Sequence, residues 1–163
     1  ARVVAGRDAP GDTGVLLQNR GACFTMDTSH PNGVAPGKRP YHTILPALAY
    51  RGDRPWLALG VVGGFQQPQG QVQLLSRMLD EGLGVADAVA APRFRWLGGA
   101  RVAVEDGHDP AVLEALEARG HRLERVPRGL LFGGASVVAR DPFTLEVTGA
   151  ADPRGDGITM DTT

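Results

Sequence analysis

The sequence has little of several features that mark common classes of protein. Cys23 is the one cysteine, so an intrachain disulfide is impossible and a cysteine-based zinc site is disfavoured. The longest apolar runs, 44–50 and 56–62, are much shorter than the roughly 18 residues that span a bilayer, so no transmembrane helix is predicted. The 17 basic and 18 acidic residues nearly cancel to a net charge of -1, which argues against a general nucleic-acid-binding protein.

The composition instead indicates one compact domain that is rich in turns. The 163 residues, 42% of them hydrophobic, suffice for one core and are too apolar for a disordered chain. The 23 glycines imply tight turns and close backbone approaches, so backbone groups are candidates for chemistry. Because the chain begins with Ala1 and no leader-like segment follows, we expect a processed or incomplete chain, and its localisation is not indicated.

Three helices are predicted from apolar spacing and from signals at helix ends. Apolar residues recur at three- and four-residue spacing between 69 and 81, which predicts a helix there. Residues 85–91 form a shorter predicted helix that ends before a proline. Asp109 as N-cap and Pro110 at the first helical position predict a third helix, which ends before Gly120.

The strand signals predict a mixed α/β protein. Two apolar runs, 43–50 and 56–62, flank a polar turn, which predicts a β-hairpin with largely buried strands at the centre of the sheet. The order of elements indicates antiparallel hairpins rather than regular βαβ units. Further extended segments are predicted at 14–18, 93–96, 121–126, 135–140 and 145–150.

The paired glycines Gly63 and Gly64 are the first candidates for chemistry. They follow a predicted strand and precede a helix, and glycine lets backbone N–H groups face a ligand, as an oxyanion hole requires. An ordinary strand-to-helix turn is the alternative interpretation. Neither a dinucleotide fingerprint nor a P-loop follows the strand, so phosphate binding is not indicated.

A proline-flanked loop carries the second candidate set. Lys38, Arg39 or the Thr43 hydroxyl could position an anionic substrate group, whereas the alternative is a solvated basic turn. His42 has no serine or carboxylate at a spacing that suggests a catalytic triad. The four histidines are scattered along the chain, so no metal site is indicated.

Five segments in order together resemble the gamma-glutamyltranspeptidases and their acylase relatives, over about residues 13–157. The resemblance implies the four-layer αββα sandwich of the N-terminal-nucleophile hydrolases, an α/β fold. This chain would supply an incomplete small subunit, with residues 1–163 as a single domain. The matching segments are Thr13-Gly14-Val15-Leu16-Leu17-Gln18-Asn19, Pro36-Gly37-Lys38-Arg39-Pro40, Gly63-Gly64, Ala91-Pro92-Arg93-Phe94 and Gly149-Ala150-Ala151-Asp152-Pro153-Arg154.

The resemblance also implies a reaction, in which the N-terminal threonine of a self-cleaved precursor attacks an amide and its own α-amino group acts as the base. Gly63 and Gly64 would stabilise the oxyanion. In the family that threonine precedes the strand that matches 14–18, so we expect it to lie outside this chain; Thr162 and Thr163 lack a free α-amino group. The chain alone should be inactive.

The partners implied by the resemblance are the large subunit, the upstream part of the same precursor and a small-molecule gamma-glutamyl or related acyl amide. No metal or organic cofactor is called for, and neither nucleic acid nor a membrane is an expected partner. Because the family's sheet needs strands that this chain lacks, we also expect an unpaired strand edge or an exposed apolar face.

Four residues align with the family's acyl-group pocket and depart from its usual pattern. Arg20 and Cys23 stand where the family has an acidic or amide residue and an aspartate that hold the substrate's α-amino group. His42 and Thr43 stand where paired serines face its α-carboxylate, and only Thr43 keeps a hydroxyl. The segment 24–36 is also shorter than the family's lid-bearing loop, so we expect a more open site.

Three functional interpretations follow from these departures. The first is gamma-glutamyltransferase-like hydrolysis or acyl transfer. The second is a cephalosporin-acylase-like amidohydrolase of glutaryl-type donors, which Arg20 favours because a guanidinium attracts a carboxylate and repels an ammonium. The third is a non-catalytic homologue that binds such ligands. The residue that aligns with the upstream nucleophile would decide between an enzyme and a binding protein.

Overall fold

The computed structural model describes residues 11–13 and 19–159, which fall into two compact units, 1–43 and 44–163. The interpretation of the chain as one incomplete domain stays a prediction. The predicted strand at 14–18 lies outside the described residues.

The first unit is built mainly from turns and loops in its described part. A short 3-10 turn covers Arg20–Cys23, and Thr25 forms an isolated bridge with Gly33. Asn32 connects two parts of this unit, since its side-chain amide donates to the Cys23 carbonyl at 2.6 Å and its side-chain oxygen accepts from the Tyr41 amide at 2.9 Å. The proline-flanked loop is thereby tied to the turn that carries Arg20.

The second unit contains two sheets and three helices in its described part. A four-stranded antiparallel sheet has the order β1-β2-β6-β7, and a three-stranded sheet has the order β3-β4-β5. The elements are β1 (Ala47–Arg51), β2 (Arg54–Val61), α1 (Gln66–Leu79), α2 (Val85–Ala90), β3 (Phe94–Gly98), β4 (Arg101–Glu105), α3 (Pro110–Ala118), β5 (Arg122–Val126), β6 (Ala135–Arg140) and β7 (Val147–Ala151).

All three predicted helices are confirmed. Helix α1 begins three residues earlier than predicted, with Phe65 as its N-cap directly after the glycine pair. The Asp109 side chain accepts a hydrogen bond from the Ala111 amide at 2.8 Å, as an N-cap does at the start of α3. Among the described residues, none of the helices has the length and apolar character needed to cross a membrane.

The core of the second unit lies between the four-stranded sheet and helices α1 and α2. Alternate residues of β2 and β6 point into it, as the period of two in a strand requires. The buried residues of this core are Leu57, Leu59, Val61, Leu74, Met78, Ala88, Val89, Ala135, Val137 and Ala139.

The predicted hairpin is confirmed, and among the described residues only its second strand, β2, lies inside the sheet. Strand β1 lies at the edge of the sheet among the described residues, because β6 pairs with the other side of β2 and β7 extends the sheet away from the hairpin. Leu48 and Tyr50 of β1 are exposed rather than buried, because they alternate with Ala47 and Ala49 and lie on the opposite face of the strand.

The preference for antiparallel hairpins over regular βαβ units holds for four of the five strand pairs among the described residues and is wrong for the fifth. Strands β4 and β5 pair in parallel, and α3 connects them. Strand β4 has no regular alternation to predict it, because it buries three successive residues, Ala103, Val104 and Glu105. The burial of Glu105 depends on distant arginines, which no local pattern reveals.

An apolar strip remains open on the face of the four-stranded sheet opposite α1 and α2. Leu48, Ala58 and Val138 lie side by side across β1, β2 and β6, and all three side chains are exposed. This strip is the exposed apolar face that the sequence predicts.

Candidate functional site

The Gly63-Gly64 turn lies between the end of β2 and the start of α1. Their φ angles, 124° and 62°, fall in the region that glycine adopts at little cost and that other residues avoid. Their carbonyls accept from the amides of Gln66 and Gln67 at 3.2 and 3.1 Å. Among the described residues, neither glycine amide donates a hydrogen bond, and Gly63 is exposed while Gly64 is half-buried.

Two adjacent N–H donors free of the sheet's hydrogen bonds are what an oxyanion hole needs. The predicted geometry of the turn is therefore present, and its catalytic role stays a prediction.

A second glycine turn packs directly behind the first. The Val62 amide donates to the Gly134 carbonyl at 2.8 Å, which is the last such bond before the chain turns at Gly63. A Cβ atom on Gly133 would collide with the Val62 carbonyl, and one on Gly63 would lie 3.2 Å from the Gly133 Cα. The absence of side chains thus allows the two turns to touch, so the conformation of one constrains the other.

Arg93 holds this second turn from the interior. Its guanidinium is fully buried and donates to the carbonyls of Gly133 at 2.8 Å and Val89 at 2.9 Å. It also forms an ion pair with Asp152 at 2.7 Å, and Asp152 accepts from the Ala135 amide at 2.7 Å. Helix α2, the turn behind the glycine pair and the end of β7 are therefore held together through one side chain.

Arg154 and Glu105 complete a buried cluster of two cations and two anions. Arg154 pairs with Asp152 at 2.9 Å and forms a two-bond contact with Glu105, whose Oε1 lies 2.7 Å from its Nε. The remaining Glu105 oxygen also accepts from the Arg93 amide at 2.9 Å. We call these four residues, Arg93, Glu105, Asp152 and Arg154, the ion cluster; its charges balance and its polar atoms are extensively hydrogen-bonded.

The pKa values in the ion cluster reflect these contacts. Burial alone would raise the pKa of Asp152, but the amides of Arg154 and Ala135 and the charge of Arg93 outweigh it and lower this pKa. The pKa of Glu105 is lowered in the same way, since bonds from Arg154 and from the Arg93 amide exceed the effect of burial. Both carboxylates are therefore ionised at neutral pH.

The lowered pKa values predict a loss of stability in acid. Below the unfolded-state pKa of about 4, the carboxylates of the unfolded chain become protonated, whereas those of the folded ion cluster stay ionised. The free energy of unfolding therefore falls as the pH drops through the folded pKa values. In urea titrations of the complete protein between pH 3 and 7, Glu105→Gln should lower stability at pH 7. It should also make the decline below pH 4 shallower. An unchanged slope would contradict the assignment.

In the sequence analysis, Arg93, Asp152 and Arg154 occur only within the segments that resemble the family, and no role is predicted for them. The structure brings the two segments together, although 59 residues separate Arg93 from Asp152. The signal that could have suggested this contact is the presence of arginine beside proline in both matching segments, with an aspartate in one.

The predicted pocket residues lie in the first unit. Arg20 is half-buried, and its Nη1 donates to the Thr43 hydroxyl at 2.9 Å, so these two residues are in direct contact. Cys23 is at the end of the same 3-10 turn as Arg20, half-buried and with a free thiol. His42 is exposed. The role of these four residues in substrate binding stays a prediction.

The described ranges, 11–13 and 19–159, contain no group of three or more histidine, cysteine, aspartate or glutamate side chains that could hold a metal ion.

Comparison with known proteins is consistent across sequence and structure. The sequence model of the gamma-glutamyltranspeptidase family matches residues 8–162. A glutathione hydrolase-like proenzyme of Bacillus subtilis (strain 168), YwrD, is 39% identical over 158 residues, which are 92% of this chain and 30% of the relative. The oxamate amidohydrolase proenzyme of Klebsiella pneumoniae is 36% identical over 154 residues, 90% of this chain and 29% of the relative.

The structural comparison agrees. The crystal structure of a cephalosporin acylase from Bacillus halodurans superposes with a TM-score of 0.85 at 41% identity, over 90% of this chain and 27% of that one. The chain thus spans about 30% of the length of the curated relatives that it matches. The predicted fold is confirmed: this α/β chain supplies part of the αββα sandwich of the N-terminal-nucleophile hydrolases. The chain therefore belongs to the gamma-glutamyltranspeptidase family.

Proposed function

We propose that this chain is part of the small subunit of an amidohydrolase or acyltransferase that works through an N-terminal threonine supplied upstream in the same precursor. The observation that carries the proposal is the Gly63-Gly64 turn, whose two amides make no hydrogen bond among the described residues. Relatives that are proenzymes of about three times this length support a larger partner, the large subunit and the upstream part of the precursor.

The proposed reaction uses backbone donors and the threonine's own amine. The threonine oxygen attacks the amide carbon while its α-amino group takes the hydroxyl proton. The N–H groups of Gly63 and Gly64 bind the resulting oxyanion, and the C–N bond breaks as the proton passes to the leaving amine. Water or a second amine then attacks the threonyl ester, which releases the acyl group and restores the threonine.

Two classes of acyl donor are candidates, and the Arg20–Thr43 contact favours the second. A gamma-glutamyl donor carries an α-ammonium group, which a neighbouring guanidinium repels. A glutaryl-type donor carries a carboxylate and no α-amino group, which a guanidinium and a hydroxyl 2.9 Å apart could bind together. Relatives named for oxamate and for cephalosporin provide examples of donors other than gamma-glutamyl amides within the family.

Donor choice can be measured with two chromogenic amides, gamma-glutamyl- and glutaryl-p-nitroanilide, on the complete processed enzyme. We expect kcat/KM for the glutaryl amide to equal or exceed that for the gamma-glutamyl amide. Arg20→Glu combined with Cys23→Asp should shift the ratio toward the gamma-glutamyl donor by about tenfold or more, equivalent to about 1.4 kcal/mol. Arg119→Glu, at an exposed arginine outside every candidate set, is the control and should leave the ratio unchanged.

Three results would contradict the proposal or favour one of its alternatives. A strong parental preference for the gamma-glutamyl donor that survives the double substitution would show that Arg20 and Cys23 do not govern donor choice. A folded, processed protein that turns over neither amide would count against both donor classes. A non-nucleophilic residue in place of the upstream threonine would favour the ligand-binding homologue.

A further inference from the structure

The direction of the Gly64 N–H group depends on the carbonyl that shares its peptide plane. In a planar trans peptide, the N–H group points opposite to the C=O group of the preceding residue. The Gly63 carbonyl accepts from the Gln66 amide at 3.2 Å, so the Gly64 N–H group points away from that amide. The orientation of this candidate oxyanion donor is therefore fixed by the position of residue 66.

The N-cap of α1 offers no side-chain acceptor to hold the start of the helix. Phe65 is the N-cap, and its hydrocarbon side chain cannot accept a hydrogen bond from the first amides. Helix ends without such a cap fray readily, and fraying of this one would release the Gly63 carbonyl. A contact elsewhere has to keep residue 66 in place.

The Gln66 side chain provides such a contact, since it is fully buried beside the glycine turn. Its Nε2 donates to the Phe94 carbonyl of β3 at 3.1 Å, which ties the first residue of α1 to the three-stranded sheet. Its Cβ lies 3.2 Å from where a Cβ on Gly63 would stand, and its Cγ lies 3.5 Å from the same point on Gly133. The stem of Gln66 thus packs against both glycine turns, while its amide holds β3.

This amide adds little to the stability of the described part of the chain. The Phe94 carbonyl also accepts from Gln73 Nε2 at 2.9 Å, so it does not depend on Gln66. Gln66 Oε1 is buried and has no hydrogen-bond partner among residues 11–13 and 19–159. A methionine of similar volume would lose one redundant bond and one unpaired acceptor, which is close to neutral for folding. A requirement for a fixed turn accounts for the amide better than stability does.

We propose that Gln66 is a positioning residue of the oxyanion hole. Its buried side chain fixes the start of α1, and its backbone amide in turn fixes the peptide that carries the Gly64 N–H group. The inference deepens the proposed function and rests on it for the reaction, in which an oxyanion forms at this turn. Gln66 does not touch the substrate. It keeps the Gly64 donor oriented before the reaction, which is the pre-organisation that an oxyanion hole requires.

The first variant is Gln66→Met in the complete processed enzyme, assayed with whichever chromogenic amide the parent hydrolyses faster. We expect kcat to fall about tenfold and KM to stay within about twofold, because the lost interaction acts on the oxyanion rather than on the bound donor. The folding equilibrium in urea should change by no more than about threefold. A residue with a merely structural role would show the opposite pattern, with lost stability and an unchanged kcat.

Gln73→Met is the matched control, because Gln73 lies on the same helix and binds the same residue of β3. Gln73 Oε1 accepts from the Phe94 amide at 2.9 Å, and the substitution leaves that amide without this acceptor. The folding equilibrium should therefore shift toward the unfolded state about tenfold or more. Gln73 lies about two helical turns beyond Gln66, so the folded variant should keep kcat within about twofold.

Hydrogen exchange provides a measurement that does not use turnover. The amides at positions 66 and 67 donate to the Gly63 and Gly64 carbonyls, and they exchange when the start of α1 frays. They should exchange about tenfold faster in Gln66→Met and at the parental rate in Gln73→Met.

Several results would overturn the positioning role of Gln66. They are a parental kcat in Gln66→Met, an equal loss of kcat in both variants, or parental exchange at positions 66 and 67 in Gln66→Met. Gln66→Leu, which also lacks the amide, replaces Gln66→Met if that variant does not fold. An inactive parent would contradict the proposed function, and the exchange rates would still decide whether Gln66 holds the turn. An active parent with an unaffected Gln66→Met would do the reverse.

Discussion

Gly64→Val should lower kcat of the complete enzyme by about 10²–10³-fold, the usual effect of losing one oxyanion donor, with little change in KM. Gly64 has a φ of 62°, a conformation that a β-branched residue resists. The peptide is therefore expected to rotate and turn its N–H away from the oxyanion. No heavy atom lies within 4 Å of a Cβ at this position, so the substitution causes no collision in the core.

Gly52→Val is a matched control for this experiment. Gly52 has a φ of 61° in the β1–β2 turn, and a Cβ there would also meet nothing within 4 Å. Both variants should therefore lose similar stability, about 1–2 kcal/mol, from the left-handed backbone. Only Gly64→Val should lose kcat in steady-state assays, and single-turnover experiments should show the loss in the acylation rate constant. Equal activity of the two variants, both folded, would remove the glycine pair from the proposed mechanism.

Arg93→Met should destabilise the complete protein by about 3–5 kcal/mol, the typical effect of removing one partner of a buried ion pair. The substitution leaves the Gly133 carbonyl without this donor and removes one of the two arginine donors of the Val89 carbonyl. It also deprives Asp152 of one of its two arginines. Such a loss is a large part of the 5–15 kcal/mol that keeps a typical domain folded. The change in the free energy of unfolding can be measured by urea titration at pH 7.

Two further variants make the measurement decisive. Arg101→Met removes an exposed ion pair with Glu124 and should cost less than about 1 kcal/mol. Arg93→Lys keeps the charge but not the forked geometry, so we expect its stability to lie between those of the parent and Arg93→Met. If Arg93→Met were no more destabilising than Arg101→Met, the ion cluster would not be what holds the turn behind Gly63.

The sequence predicted those features whose signals lie close together along the chain. Asp109 and Pro110 mark the start of α3 within two residues, and the apolar spacing of α1 repeats every three or four. The Gly63-Gly64 turn was likewise recognisable because both glycines follow one apolar run. The ordered segments were enough to indicate the family, which the comparisons confirm.

Only the tertiary structure decided features that join distant segments. Which strands become neighbours determines the parallel pairing of β4 with β5, the contact between Arg93 and Asp152 and, within the part of the chain that the structure describes, the edge position of β1. Burial of an ion is possible only where several segments together supply its partners, so no local pattern reveals it. For the same reason, the sequence does not show that one N–H donor group of Arg77 is buried and has no hydrogen-bond partner among the described residues.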